Sequence, residues 1–137
     1  FKPTKPLRQH WMNISIGRSG FKITAIASLW DSESENYDSN ELRAELELAD
    51  KKAKVYFAQL QAMKDQIEAE LGEPLVWYNP DNRQVCRMYL RKGNVDLQDR
   101  QQWPSYHEWL KTKVEALRKV FIHRVRNLTA DTPDESE

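Results

Sequence analysis

The sequence holds a single cysteine, Cys86, in 137 residues. No intramolecular disulfide is possible, so folding does not depend on oxidation, and a reducing cytoplasm is the expected location. No apolar run approaches the roughly 20 residues that span a bilayer, so no membrane partner is expected. Glycine is scarce, with four in the chain. None falls in a phosphate-binding loop or a dinucleotide fingerprint, and there is no paired-cysteine zinc pattern, His-Glu-x-x-His or calcium loop. His107 and His123 lie on one expected helix but about four turns apart, too far to share a metal. No cofactor is expected on these grounds. A signal or transit peptide is also missing. The chain opens on Phe1 rather than methionine, as an excised domain would.

An excess of charge of either sign is absent too: 21 basic residues balance 21 acidic ones. The total therefore points to no polyanionic partner, but the distribution is uneven. Residues 1–22 carry Lys2, Lys5, Arg8, Arg18 and Lys22 and no acid, whereas residues 31–50 hold eight acids against Arg43 alone. Residues 101–130 carry six bases against Glu108 and Glu115, and the last seven residues hold four acids and no base.

What is present is enough apolar material for one domain: 39 % hydrophobic residues, including five tryptophans, in a chain long enough to bury a core. Residues 1–10 read as an irregular lead-in, 11–128 as a single domain, and 129–137 as an acidic disordered tail. Trp11 to Ile16 alternates, with Met12, Ile14 and Ile16 on one side. After the turn Gly17-Arg18-Ser19-Gly20, alternation resumes through Phe21, Ile23, Ala25, Ala27 and Leu29. Together these segments predict a β-hairpin. Asp31 to Asn40 reads as an exposed loop. Glu41 to Leu48 alternates most cleanly: Leu42, Ala44, Leu46 and Leu48 face in, while Arg43, Glu45 and Glu47 face out onto a wet surface.

Asp50 is the expected N-cap of a long helix ending near Leu71, with Ala53, Phe57, Leu60, Ile67 and Leu71 on one stripe and Lys64 interrupting it. Gly72 is the expected C′ residue, with Pro74 preventing continuation. Leu75–Tyr78 and Arg83–Leu90 read as a strand pair around the turn Asn79-Pro80-Asp81-Asn82, ended by Lys92-Gly93-Asn94. Ser105 and Glu108 fit a capping box for a final helix to about Leu128, striped by Tyr106, Leu110, Val114, Leu117, Phe121 and Val125. The order β-β-β-α-β-β-α predicts an α+β fold, an antiparallel sheet of about five strands with two long amphipathic helices on one face.

Three groups of residues carry possible chemistry. Glu45 and Glu47, at alternate strand positions, project about 7 Å apart on one face. With Asp31 or Asp38 they suit a divalent cation for phosphodiester cleavage. Nucleases of the restriction-enzyme fold place Glu-x-Lys on such a strand, and Glu47 stands here in the lysine position. The competing reading is a solvated strand face with an Arg43–Glu45 pair. Arg118, Lys119, Arg124 and Arg126 on the last helix suit phosphate contacts or, equally, complement the helix dipole. Arg87 and Arg91 on the second strand pair, beside Tyr89, suit an aromatic and basic surface for nucleic acid. Cys86, on the apolar side of its strand, reads as a buried structural thiol, and Trp77, Trp103 and Trp109 read as core anchors.

The succession Gly17-Arg18-Ser19-Gly20-Phe21, Leu42-Arg43-Ala44-Glu45-Leu46, Phe57-Ala58-Gln59-Leu60, Glu70-Leu71-Gly72, Leu75-Val76-Trp77, Trp103 and Trp109 resembles an uncharacterised prokaryotic family known only as a domain of unknown function. The resemblance spans most of residues 11–128. It implies a C-terminal part of longer proteins, some with a nuclease-like domain ahead, and it implies no catalytic residues. The expectation is thus a non-catalytic binding module for nucleic acid, or one that docks onto an N-terminal effector domain of the same parent protein. The alternatives are a divergent metal-dependent nuclease using Glu45 and Glu47, or a structural or oligomerising domain.

Overall fold

A computed structural model describes residues 9–36 and 40–129, with side chains described from Asn13 onward. The lead-in over residues 1–8, Asp38 and the tail beyond residue 129 lie outside the described residues. Five strands form one antiparallel sheet: β1 (Gln9–Ser15), β2 (Phe21–Ser28), β3 (Asn40–Leu48), β4 (Val76–Tyr78) and β5 (Cys86–Val95), in the spatial order β1-β2-β3-β5-β4. Three helices accompany it, α1 (Ala53–Gln61), α2 (Lys64–Leu71) and α3 (Trp103–Arg126), the last preceded by a 3-10 turn at Arg100–Gln102.

The period-2 pattern does what it predicts on the helix-covered side. Phe21, Ile23, Ala25 and Ala27 of β2 meet Leu42, Ala44, Leu46 and Leu48 of β3 and Cys86, Met88 and Leu90 of β5, all buried. Against them α3 sets Tyr106, Leu110, Val114, Leu117, Phe121 and Val125, and α1 sets Tyr56, Phe57 and Leu60. Trp77 of β4 meets the Phe57 ring edge-on at 5.8 Å. Trp77, Trp103 and Trp109 are half-buried against this core.

Among the described residues only one long helix is present, which corrects the expectation of two. The segment after Asp50 breaks at Ala62–Met63, where the Met63 amide donates to the Leu60 carbonyl, a three-residue step. An unbroken helix would carry Lys64 into the core at the position following Leu60 on the stripe. The break turns Lys64 outward and keeps Ile67 fully buried. Asp50 caps the turn ahead of α1, its carboxylate accepting from the Lys52 amide at 2.8 Å. Gly72 takes the left-handed conformation (φ 87°) that closes α2.

The other differences are local. No capping box forms at Ser105. The α3 helix starts at Trp103 with Pro104 in its first turn, and the Ser105 hydroxyl donates to the Gln102 carbonyl. Strand β5 runs through Gly93 to Val95, because Lys92 and Val95 pair with Leu42 and Asn40 across a bulge in β5. At Gly93 a Cβ would lie 3.0 Å from the Arg91 guanidinium, which folds back over it. The segment after β2 is not a simple exposed loop either. Asp31 bridges to Asn36 and is buried at 6 % exposure.

Leu75 and Trp77 are tied to α2 by one carboxylate. Glu68 accepts from the Leu75 amide at 2.8 Å and from the Trp77 indole N–H at 3.1 Å, and these two bonds, the backbone one foremost, hold its pKa below the usual glutamate value. A depressed folded-state pKa means that the stabilisation is fully present above the unfolded value and lost as pH falls through the folded one. Glu68→Ala is therefore expected to cost about 1–2 kcal/mol at neutral pH. The difference between the two proteins should shrink on acidification below about pH 4.3, the ordinary glutamate value. Urea titrations of both proteins from pH 7 to pH 3 measure this.

Candidate functional site

The sheet face turned away from the helices is not the wet surface its charges predict. Glu41 and Glu45 are each only 1 % exposed, and Thr24, Ile26 and Ser28 of β2 are buried beside them. The reason lies in register. Strand β3 brings Arg43, Glu45 and Glu47 opposite Arg91, Tyr89 and Arg87 of β5, so the two strands neutralise one another diagonally. Glu45 takes Arg43 Nη2 on one oxygen at 3.2 Å and Arg87 Nε on the other at 3.3 Å. Glu47 pairs with Arg87 at 3.4 Å and Lys22 at 3.6 Å. At the other end Arg91 Nε bonds Glu41 at 2.6 Å and its Nη2 bonds Asp31. Burial alone would lower the Arg91 pKa, but the bonds to Asp31 and Glu41 outweigh it and raise the value above that of an ordinary arginine. The result, among the described residues, is a ladder of four cations (Lys22, Arg43, Arg87, Arg91) and five anions (Asp31, Glu33, Glu41, Glu45, Glu47) across three strands and the turn after β2.

The proposed carboxylate pair, Glu45 and Glu47, thus shares one face as expected, but each carboxylate is already held by cations. Among the described residues no group of three or more His, Cys, Asp or Glu side chains is placed to hold a metal ion. The Arg43–Glu45 pair is present.

Beside the ladder the same face forms a concavity of about 550 Å³, lined by Ser28, Trp30, Glu35, Arg43, Tyr78 and Tyr89 together with Arg87 and Glu41. Arg43 stacks on the Tyr89 ring at 4.5 Å and Arg87 stands 5.9 Å from the Tyr78 ring. Glu35, at the rim, holds a left-handed φ of 59°, an unfavourable conformation for a residue with a side chain.

The six proposed nucleic-acid contacts fall on two separate surfaces. Arg87 and Arg91 belong to the far face of the sheet, whereas Arg118, Lys119, Arg124 and Arg126 lie on α3, which packs on the core face. Arg124 is engaged by Glu70 and by the Val120 carbonyl, and Lys113 by Glu73. The bond from Arg124 in turn lowers the Glu70 pKa. Among the described residues Lys111, Arg118, Lys119 and Arg126 form no ion pair. All four are exposed. At 100° and 1.5 Å per residue they occupy one arc of roughly 100° along about 22 Å of helix. At the same 100° per residue Glu108 and Glu115, the acids exposed on this helix, fall within that arc.

Arg18 was legible only as part of a turn, yet it joins the hairpin to the end of α3. Its Nη1 donates to the Val125 and Leu128 carbonyls at 2.8 and 2.7 Å, and Nη2 donates to the Tyr56 hydroxyl at 3.1 Å. The guanidinium stacks on the Tyr56 ring at 4.7 Å. The neighbouring Gly17 (φ 83°) leaves room for Arg126, whose guanidinium would lie 2.9 Å from any Cβ placed there.

Cys86 is fully buried in the core, and burial pushes its thiol pKa up, an effect that Lys54 nearby only partly offsets. It is expected to resist alkylation in the folded protein and to react at the rate of a free thiol once urea unfolds the chain. Timed labelling followed by mass spectrometry measures both rates.

No curated protein and no solved structure matches the chain. A family model does match, over residues 1–125: the chain belongs to the family described as Domain of unknown function (DUF4268).

Proposed function

We propose that this domain is a non-catalytic binding module that holds nucleic-acid phosphates along the exposed face of α3, as an accessory to an effector domain in a longer chain. One observation carries the reading. The helix commits Lys113 and Arg124 to carboxylates but leaves Lys111, Arg118, Lys119 and Arg126 exposed and without ion pairs among the described residues, Arg118 making only a 3.4 Å bond to the Ser15 carbonyl. Unpaired cations cost solvation nothing until a polyanion arrives, and their spread over about 22 Å matches several phosphates of a duplex or single strand.

Four phosphate contacts predict that log K falls against log salt with a slope of about −3 to −4. Fluorescence anisotropy with labelled single- and double-stranded DNA and RNA across a salt series measures it. Charge reversal at Arg118, Lys119 and Arg126 is expected to weaken binding at least tenfold, about 1.4 kcal/mol, and to flatten the slope. Equal affinity of the reversed protein would remove α3 from the interface. No binding to any probe at low salt would favour docking onto a protein partner instead.

A further inference from the structure

The far face of the sheet offers a second site, on residues the α3 stripe does not include. We propose that its concavity binds one nucleotide unit, a planar heteroaromatic base with an attached phosphate. The base lies against Trp30 and Tyr78, and the phosphate meets the outer N–H groups of Arg43 and Arg87.

The two arginines carry the argument. Arg91 is consumed: Nε, Nη1 and Nη2 face Glu41, Glu33 and Asp31 respectively. Arg43 and Arg87 instead share one buried carboxylate, Glu45, with Glu41 3.6 Å from Arg43 Nε and Glu47 3.4 Å from Arg87 Nη2, and are backed by the Tyr89 and Tyr78 rings. Among the described residues Nη1 of each has no acceptor, and Nε of each makes no well-aligned hydrogen bond. With Glu33 the ladder sets five anions against four cations, so it offers a ligand no net positive charge, and what remains is the directional donor capacity of the two Nη1 groups in a fixed frame. A phosphate satisfies two adjacent guanidinium groups better than any other common biological anion.

The aromatic surface and the size set the rest of the ligand. Tyr78 is 40 % exposed, one of the few large hydrophobic side chains that remain so among the described residues. Bases stack on such rings without regard to sequence. A concavity of about 550 Å³ lies within the usual range for small-ligand sites. Glu35, held at the rim in its left-handed conformation, is an acceptor for an exocyclic amino group, and strain of this kind gathers at ligand sites.

The source of the unit, a free nucleotide or a residue of a single strand, is decided by the probe. Isothermal titration with the four 5′-mononucleotides forms one arm, and titration with a ten-residue single-stranded oligonucleotide forms the other. Both use the wild-type chain, Arg87→Gln, Tyr78→Ser and the α3 charge-reversed protein, each checked for folding by circular dichroism.

Binding of mononucleotides that falls at least tenfold in Arg87→Gln and in Tyr78→Ser, but is unchanged in the α3 variant, supports the site with free nucleotide as its source. Oligonucleotide binding alone, weakened at least threefold by Tyr78→Ser in the α3-reversed background, supports the site with a strand as its source. If Tyr78→Ser, which removes no ion pair of the ladder, leaves both arms unchanged, or if mononucleotide binding is lost only in the α3 variant, the concavity is not the site. Failure of the α3 reading leaves the mononucleotide arm intact, so the two proposals are separable.

Discussion

Replacing Glu45 by alanine is expected to destabilise the fold by about 3–5 kcal/mol, because it removes the buried carboxylate that two half-buried arginines share and leaves them only the longer contacts to Glu41 and Glu47. Arg43 and Arg87 are 11 % and 17 % exposed, and both direct a guanidinium nitrogen at Glu45. Glu45→Gln keeps the shape and loses the charge, so it should fall between alanine and wild type. The sign separates two views of this residue. A carboxylate kept for metal chemistry is commonly a source of like-charge strain, and its removal tends to raise stability. A carboxylate that neutralises two cations does the reverse. Urea unfolding of the three proteins at neutral pH decides it. An unchanged or raised midpoint in Glu45→Ala would show that the ladder does not hold this face together.

The second large effect is expected at Arg18. Its alanine variant removes two charge-assisted hydrogen bonds to carbonyls at the end of α3 and a cation–π contact with Tyr56. Terminal carbonyls need such partners when the helix end is partly covered, and the loss should cost about 2–4 kcal/mol. Arg18→Lys is expected to recover less than half of it, because an ammonium cannot fork between two carbonyls while lying flat on a ring. Thermal unfolding of the three proteins measures the series. Near-equal midpoints for arginine and lysine would mean that only the positive charge matters at this helix end.

These two residues also show where sequence reading reaches its limit. The alternation of β2 and β3 is local information, and each strand lies where its apolar positions place it. Gly72 closes α2 for the same reason, since a left-handed residue after a periodic run needs only its neighbours to be recognised. The break at Ala62–Met63 follows from Lys64 in the apolar stripe, a signal present in the chain but readable as a mere interruption. Arg18, by contrast, bonds carbonyls 107 and 110 residues away, and nothing in a four-residue turn reveals that.

The buried carboxylates were hidden for a related reason. Glu41, Glu45 and Glu47 look solvated while β3 is considered alone. Glu41 and Glu45 become buried, and Glu47 half-buried, only because β5, rather than the neighbouring β4, lies beside β3 and supplies Arg87 and Arg91 in register. The complementary spacing of the two strands, Glu-x-Arg-x-Glu-x-Glu against Arg-x-Tyr-x-Arg, is the signal that pairs them. It also explains why the arginines proposed as one nucleic-acid surface divide between two faces. The concavity with Trp30 and Tyr78 depends on that same pairing and on the turn after β2, so no single stretch of the chain announces it.

The most direct test of the binding account is a backbone amide NMR titration of the whole chain with a short single-stranded oligonucleotide at low and then high salt. The account predicts shift changes concentrated on α3 from Lys111 to Arg126 that fade as salt rises. Shifts confined to the sheet edges, or an α3 unchanged at saturating oligonucleotide, would contradict it.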